Sequence, residues 1–211
     1  MTIYFLKQKL KYVPIFSLVA TGVFFLFSVT CMEEYAFGCE MFLALLLAIL
    51  SCFILENRDE VELIHCTKHS VRGVFYTQLV ILYGYVVLNV IAAQSLVHIW
   101  VPCERGTVPT LFLSFAVTGF FFIGVSGVAR RLTGNVYVAI GITLFVTVFC
   151  LLLHNNVRDR VWDARWSFVD VYALETMYGV KYWIWNRLIM LAIGAVLFFI
   201  GYRYGGKKDE D

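Results

Sequence analysis

Charged residues in this chain fall in clusters separated by long uncharged stretches, and that spacing constrains the fold more than any other feature. An apolar segment of ~20 residues matches the hydrocarbon core of a bilayer. Within lipid such a segment must be a helix, because only a helix satisfies its backbone hydrogen bonds internally. Six stretches qualify: residues 12–32, 35–55, 74–100, 108–128, 134–154 and 182–202. Only Glu40 and Arg187 place a charge inside them. The third is long enough to tilt or to extend past the bilayer. Composition agrees, since 61% of residues are hydrophobic and 15% charged, against roughly half and one quarter in soluble domains. The expected fold is all-α: a single polytopic transmembrane domain of six helices.

Basic residues favour the cytoplasmic side. With the N-terminus inside, the inner segments hold Lys7, Lys9 and Lys11, then Arg58, Lys68 and Arg72, then Arg130 and Arg131, then Arg203, Lys207 and Lys208. The two short outer loops hold only Arg105. Trp100, Trp162, Trp166, Trp183 and Trp185 all fall toward the outer side, as an interfacial aromatic belt would place them. Both termini are therefore expected in the cytoplasm and the chain in the cell membrane. The first stretch reads as a retained span: its apolar core is long for a signal peptide and no A-x-A site follows. A net charge of +2 is too small to imply nucleic acid or a strongly acidic partner.

Several motifs are false leads. Gly201 to Lys207 matches G-x-x-x-x-G-K, but a phosphate loop needs a strand before it and Ser or Thr after the lysine. An apolar helix precedes it and Lys208 follows, so no ATP site is expected in this chain. None of Cys31, Cys39, Cys52, Cys66, Cys103 and Cys150 forms a C-x-x-C pair; Cys31, Cys39 and Cys103 lie near one face, where a disulfide stays open. His65 and His69 lack the glutamate of H-E-x-x-H. His98 and His154 share a depth at which a haem iron could bind, but boundary positions suit polar rings equally. No catalytic set with a recognisable local signature is present, and the chain is not expected to be an enzyme.

Ionisable residues within a span are functional candidates. Glu40 and Arg187 lie one to two turns below the outer surface, where long side chains snorkel; pairing with each other, which would lock spans two and six, is the alternative. In span three Gln78, Tyr85 and Asn89 recur at i, i+7, i+11 on one helical face. That face either bonds to neighbouring helices or lines a pathway.

The inner loop at 56–72 reads ENRDEVELIHCTKHSVR. Asn57 with Glu60 is a capping-box variant that starts a short helix near Asp59. Val61 and Ile64 face one side of it and Glu60, Glu62, His65, Lys68 and His69 the other. This stretch resembles the first inner loop of ABC transporter permeases of the type-2 exporter (ABC-2) class. That loop shows a glutamate and an arginine, then G-T-x-E-L-L, then a small-residue and basic turn. Glu56 and Arg58 stand first here, Glu62-Leu63-Ile64 stand for E-L-L, and His69-Ser70-Val71-Arg72 for the turn; Asp59-Glu60 replaces Gly-Thr. Asn186-Arg187-Leu188 is similar to the N-R-L that often starts the last span in this class.

Layout agrees with the resemblance. Ile3, Leu6 and Leu10 with Lys7, Lys9 and Lys11 fit an N-terminal amphipathic helix, and residues 155–181 fit a longer outer segment. Within it Val161, Ala164, Phe168 and Tyr172 fall on one helical face, with Asp159, Arg160, Asp163 and Asp170 elsewhere. That pattern predicts an amphipathic extracellular helix on the outer leaflet. The resemblance implies the permease subunit of an ATP-driven exporter. A separate ATP-binding-cassette ATPase would carry ATP and Mg, so this chain binds no cofactor. The ATPase would dock on Glu56, Arg58, Asp59, Glu60, Glu62, Leu63, His65 and Lys68, with Arg130 and Arg131 as a lesser contact. A second permease subunit, identical or different, would complete a pathway for a hydrophobic or amphipathic peptide, lipid or drug. The competing readings are an ATP-independent transporter or channel, a small haem protein, and an accessory subunit.

Overall fold

The computed structural model describes residues 15, 19, 32–53, 71–100, 107–158, 168–173 and 180–204. Five long helices account for nearly all of them: α1 (Met32–Cys52), α2 (Val71–Trp100), α3 (Thr107–Thr133), α4 (Val136–Arg158) and α5 (Val180–Tyr204). No strand occurs among the described residues. Leu113–Thr133, Val136–Arg158 and Lys181–Gly201 are each long and apolar enough to cross a membrane. The described apolar stretches of α1 and α2 are shorter. The first expected span lies almost wholly outside the described residues, as does the inner loop up to residue 70.

Helix α3 is the hub: it packs against each of the other four, most extensively against α5 and then α1. Its apolar window is 67% buried, against 33% for α4 and 28% for α5. The remaining faces of α4 and α5 present Phe145, Phe149, Leu152, Trp185, Val196 and Phe199 outward. Apolar faces of that extent are costly in water and need no partner in lipid.

In a membrane the apolar effect does not favour helix–helix over helix–lipid contact, so small residues and hydrogen bonds set the packing. α3 and α5 meet almost backbone to backbone. A β-carbon on Gly194 would stand 2.9 Å from the Phe120 ring and 3.3 Å from Phe121 Cα, and one on Gly124 would stand 3.1 Å from the Gly194 carbonyl oxygen. Around this crossing the core fills with Leu47, Leu79, Phe115, Phe122, Ile123 and Met190. Toward the other end the Ser51 and Ser126 hydroxyls bond α1 to α3.

The α3–α4 link shows why both helices stop where they do. Gly134 takes φ 65°, a left-handed conformation open to glycine, and its N–H reaches the Arg130 carbonyl at 3.1 Å. Asn135 then caps α4, its Oδ1 accepting from Tyr137 N at 2.9 Å and Val138 N at 3.3 Å. Arg130 and Arg131 consequently belong to the last turn of α3 rather than to a loop, where cations suit the helix dipole. At its far end α4 runs on to Arg158, past the expected limit at 154, so His154 sits inside the helix.

Candidate functional site

One face of α5 carries Trp183, Asn186, Arg187, Met190 and Gly194 at helical spacing, and this face turns inward. Asn186 and Arg187 thereby enter the bundle at the level of Glu40 on α1, Thr118 on α3 and His154 on α4. Thr118 lies 13 residues from Arg131, and Arg187 lies 16 from Arg203, which at 1.5 Å per residue is roughly 20 and 24 Å along the axes. If those arginines mark one boundary of a ~30 Å core, the group lies beyond the midplane, toward the other face.

Between these helices sits the segment 168–173, the described part of the connection between α4 and α5. It is a short 3-10 turn followed by a β-turn, not the expected surface helix. The Asp170 carboxylate explains this, because its Oδ1 accepts from the Tyr172 N–H at 3.0 Å and closes an Asx turn. The Ala173 N–H returns to the Asp170 carbonyl at 3.3 Å. Asp170, read from the sequence as part of a solvated face, is fully buried, and so is Tyr172. The Tyr172 ring lies 6.2 Å from those of Phe122 and His154. The rest of the expected outer helix lies outside the described residues.

The structure brings Glu40 and Arg187 together: Arg187 Nη1 donates to Glu40 Oε1 at 3.1 Å, with both side chains 3% exposed. Neither reaches for the surface. The same Nη1 lies 2.9 Å from Thr118 Oγ1 and 3.1 Å from the Val171 carbonyl, while Nη2 donates to the Ala173 carbonyl. Thr118 donates its hydroxyl to Glu40 Oε1. Trp183, expected in the interfacial belt, is buried, its ring centre 5.9 Å from the Arg187 guanidinium; Trp185 is exposed. On the other side His154 Nδ1 meets Asp170 Oδ2 at 2.9 Å. Asn186 Nδ2 donates to the Asp170 carbonyl at 2.8 Å and the Phe168 carbonyl at 3.1 Å. Four helices and one short segment are thus tied into one buried polar network. A buried polar group is tolerable when its hydrogen bonds are met, and a buried charge when it is also paired.

Other expected residues lie apart from this network. Gln78 is buried on α2, while Tyr85 and Asn89 are half-buried, and Asn89 donates to its own helix at the Tyr85 carbonyl. Arg130 and Arg131 are half-buried at the opposite end of α3. The docking candidates Glu56, Arg58, Asp59, Glu60, Glu62, Leu63, His65 and Lys68 lie outside the described residues, as do the side chains of Cys31, Cys39, His98 and Cys103. Among the described residues no group of three His, Cys, Asp or Glu side chains converges as a metal site requires.

Thr118 and Asp170 are the members that sequence reasoning did not place in a site, and His154 was read from the sequence only as a haem ligand or a boundary residue. One signal for His154 was available. Ala139, Thr143, Thr147, Cys150 and His154 form a small and polar stripe at three- and four-residue spacing, and this is the buried face of α4.

Comparison of the chain with known protein families, characterised proteins and solved structures gives no match. What is established is a helical protein with three helices long and apolar enough to span a membrane.

Proposed function

We propose that the chain is the permease subunit of an ATP-driven exporter of the ABC-2 class. In this reading it spans the cell membrane six times with both termini inside, and pairs with a second permease and a separate ATPase. The observation that carries it is the position of Asn186 and Arg187. The Asn-Arg-Leu triplet on which the resemblance partly rests supplies the two side chains that hold the outer segment inside the bundle. The basic residues Arg130, Arg131 and Arg203 at the opposite helix ends support the N-in, C-in orientation. The ATPase would dock on the inner loop at 56–72, and the cargo would be hydrophobic or amphipathic.

Purification of the tagged chain from its native membrane should recover an ATPase, and Glu62→Arg should lose it without loss of the membrane fold. Absence of any ATPase, with substrate movement in ATP-free proteoliposomes, refutes this reading. A second reading draws on the same network: ionisable groups at depth are common in transporters driven by ion gradients. ATP-free transport abolished by Glu40→Gln would favour it.

A further inference from the structure

Tryptophans near a membrane boundary turn the indole N–H toward water or headgroups. Trp183 does the reverse: its side chain is 3% exposed, and among the described residues nothing accepts from its Nε1. Arg187 stands one helical turn further along the same face of α5 and shows the same lack at one atom. Its Nη1 and Nη2 meet Glu40, Thr118 and the Val171 and Ala173 carbonyls. Its Nε, equally buried, has no acceptor among the described residues. The guanidinium carbon lies 5.9 Å from the indole ring centre, so the two side chains are neighbours. Two buried N–H groups close together thus share one deficiency, an acceptor. A donor inside lipid cannot turn to bulk solvent, so folded structures meet it with a protein group or an ordered water.

We infer that Trp183 and Arg187 form a binding site for one ordered water molecule, which accepts from both Nε1 and Nε and belongs to the fold of this end of the bundle. The occupant has to be small, because both side chains are 3% exposed and a lipid headgroup or cargo group could not reach them without uncovering them. It has to offer an oxygen acceptor, because both atoms that address it are donors. A water that accepts twice has two hydrogens left. The Ala173 carbonyl, already met by Arg187 Nη2, has a second lone pair for one of them. That makes three partners, the usual number for a buried water. Trp183 is then a positioning residue: through the water it fixes the one guanidinium nitrogen that Glu40, Thr118 and the segment 168–173 do not hold. The site stands apart from the exporter reading, since either transport reading leaves it unchanged.

The test uses the full chain in nanodiscs, with the indole nitrogens isotope-labelled for NMR. Five indole N–H signals are expected, one for each tryptophan, and the one lost in Trp183→Phe belongs to Trp183. In deuterated lipid its proton should show cross-relaxation with water, with the sign of a long-lived bound molecule rather than of passing solvent. In a second sample with labelled arginine side chains, one Nε–H should show the same water contact. Trp183→Phe keeps an aromatic ring beside the guanidinium and removes one of the two donors, so that Nε–H signal should shift and its water contact weaken or vanish. If Trp183→Phe does not fold, the Trp183 signal is identified as the one that survives Phe replacements at Trp100, Trp162, Trp166 and Trp185 in turn. A Trp183 indole proton without a bound-water contact overturns the inference. So does contact of that proton with headgroup protons in ordinary lipid, or an arginine Nε–H pattern indifferent to Trp183→Phe.

Discussion

Replacing Arg187 with methionine separates the two tasks of the guanidinium. It removes the counter-charge of Glu40 and the donors to the Val171 and Ala173 carbonyls. Breaking one partner of a buried ion pair costs about 3–5 kcal/mol, and each orphaned buried carbonyl adds about 1–3 kcal/mol. The single substitution should therefore lose at least about 4 kcal/mol. Glu40→Gln strips the other charge while its amide oxygen still accepts from Thr118, and should lose about 3 kcal/mol by leaving Arg187 buried without its partner. The double variant carries neither charge, and Thr118 still reaches the Val171 carbonyl, so only the orphaned Ala173 carbonyl remains, at about 1–3 kcal/mol. The two single losses, at least about 7 kcal/mol together, should thus exceed that of the double by at least about 4 kcal/mol. Equilibrium unfolding of all four chains in mixed micelles, followed by tryptophan fluorescence, measures this. A charge reversal, Glu40→Arg with Arg187→Glu, should be worse than the neutral double, because a carboxylate at 187 would face the Val171 and Ala173 carbonyl oxygens and be repelled, whereas methionine carries no charge. Single effects that add within about 0.5 kcal/mol would refute the pairing. A reversed chain more stable than the neutral double would refute the role of Arg187 in holding the segment.

Asn186→Ala removes the side-chain donor to the Phe168 carbonyl and one of two donors to the Asp170 carbonyl, and should speed hydrogen exchange of residues 168–173 by about tenfold, while exchange in α3 stays unchanged; a uniform rise throughout the bundle would contradict that local role. Gly194→Val should push α3 from α5 and destabilise the protein by about 1–3 kcal/mol or more, read as a lower midpoint of unfolding and weaker cross-linking between cysteines placed at 120 and 198. Gly134→Val forces a β-branched residue into the left-handed region at a cost of about 1–2 kcal/mol; the same midpoint assay should show the loss, and Gly134→Asn should recover most of it.

The helical class was legible because it rests on apolar length, which composition and charge spacing report directly. The ends of helices were less so. Arg130 and Arg131 look like a loop in a hydropathy reading, yet they stand half-buried in the last turn of α3, where cations suit the helix dipole. Residues 168–173 were misread for a different reason. Phe168 and Tyr172 fit a helical face, but the carboxylate of Asp170 competes for the backbone and closes a turn that a helix cannot accommodate. Glu40 and Arg187 were visible as intramembrane charges. Their pairing was not, since 147 residues separate them, and snorkelling is a local alternative that needs no partner. Thr118 carried no signal of its own, being one of several hydroxyls on α3.

The two kinds of contact divide along the bundle, and the division bears on which parts can move. α3 and α5 are joined through Gly124 and Gly194, where van der Waals contact is lost by any separation and no donor or acceptor can be exchanged for water. At this crossing the two helices are held by packing alone, while further along the same pair the Arg187–Thr118 contact joins them within the charged network. The segment 168–173 is joined to the same helices both through carbonyls and one carboxylate and through apolar packing. Val171 and Tyr172 are buried in the core cluster of Phe122 and Met190, and the Phe168 ring lies 6.0 Å from that of Tyr182. A contact made by apolar interlock is lost only by separating the packed groups; the hydrogen-bonded part of the segment's hold can change by exchange, with Arg187 and Asn186 passed from one acceptor to the next. Glu40 and Thr118 make that exchange affordable in lipid. They keep Arg187 paired while its other acceptors change, so the charge is not left uncompensated at any stage. On this argument Glu40 compensates Arg187 both in the packed state and while its other acceptors change, so Glu40→Gln should destabilise the packed state by about 3 kcal/mol and also slow any exchange of the Val171 and Ala173 carbonyls for other acceptors.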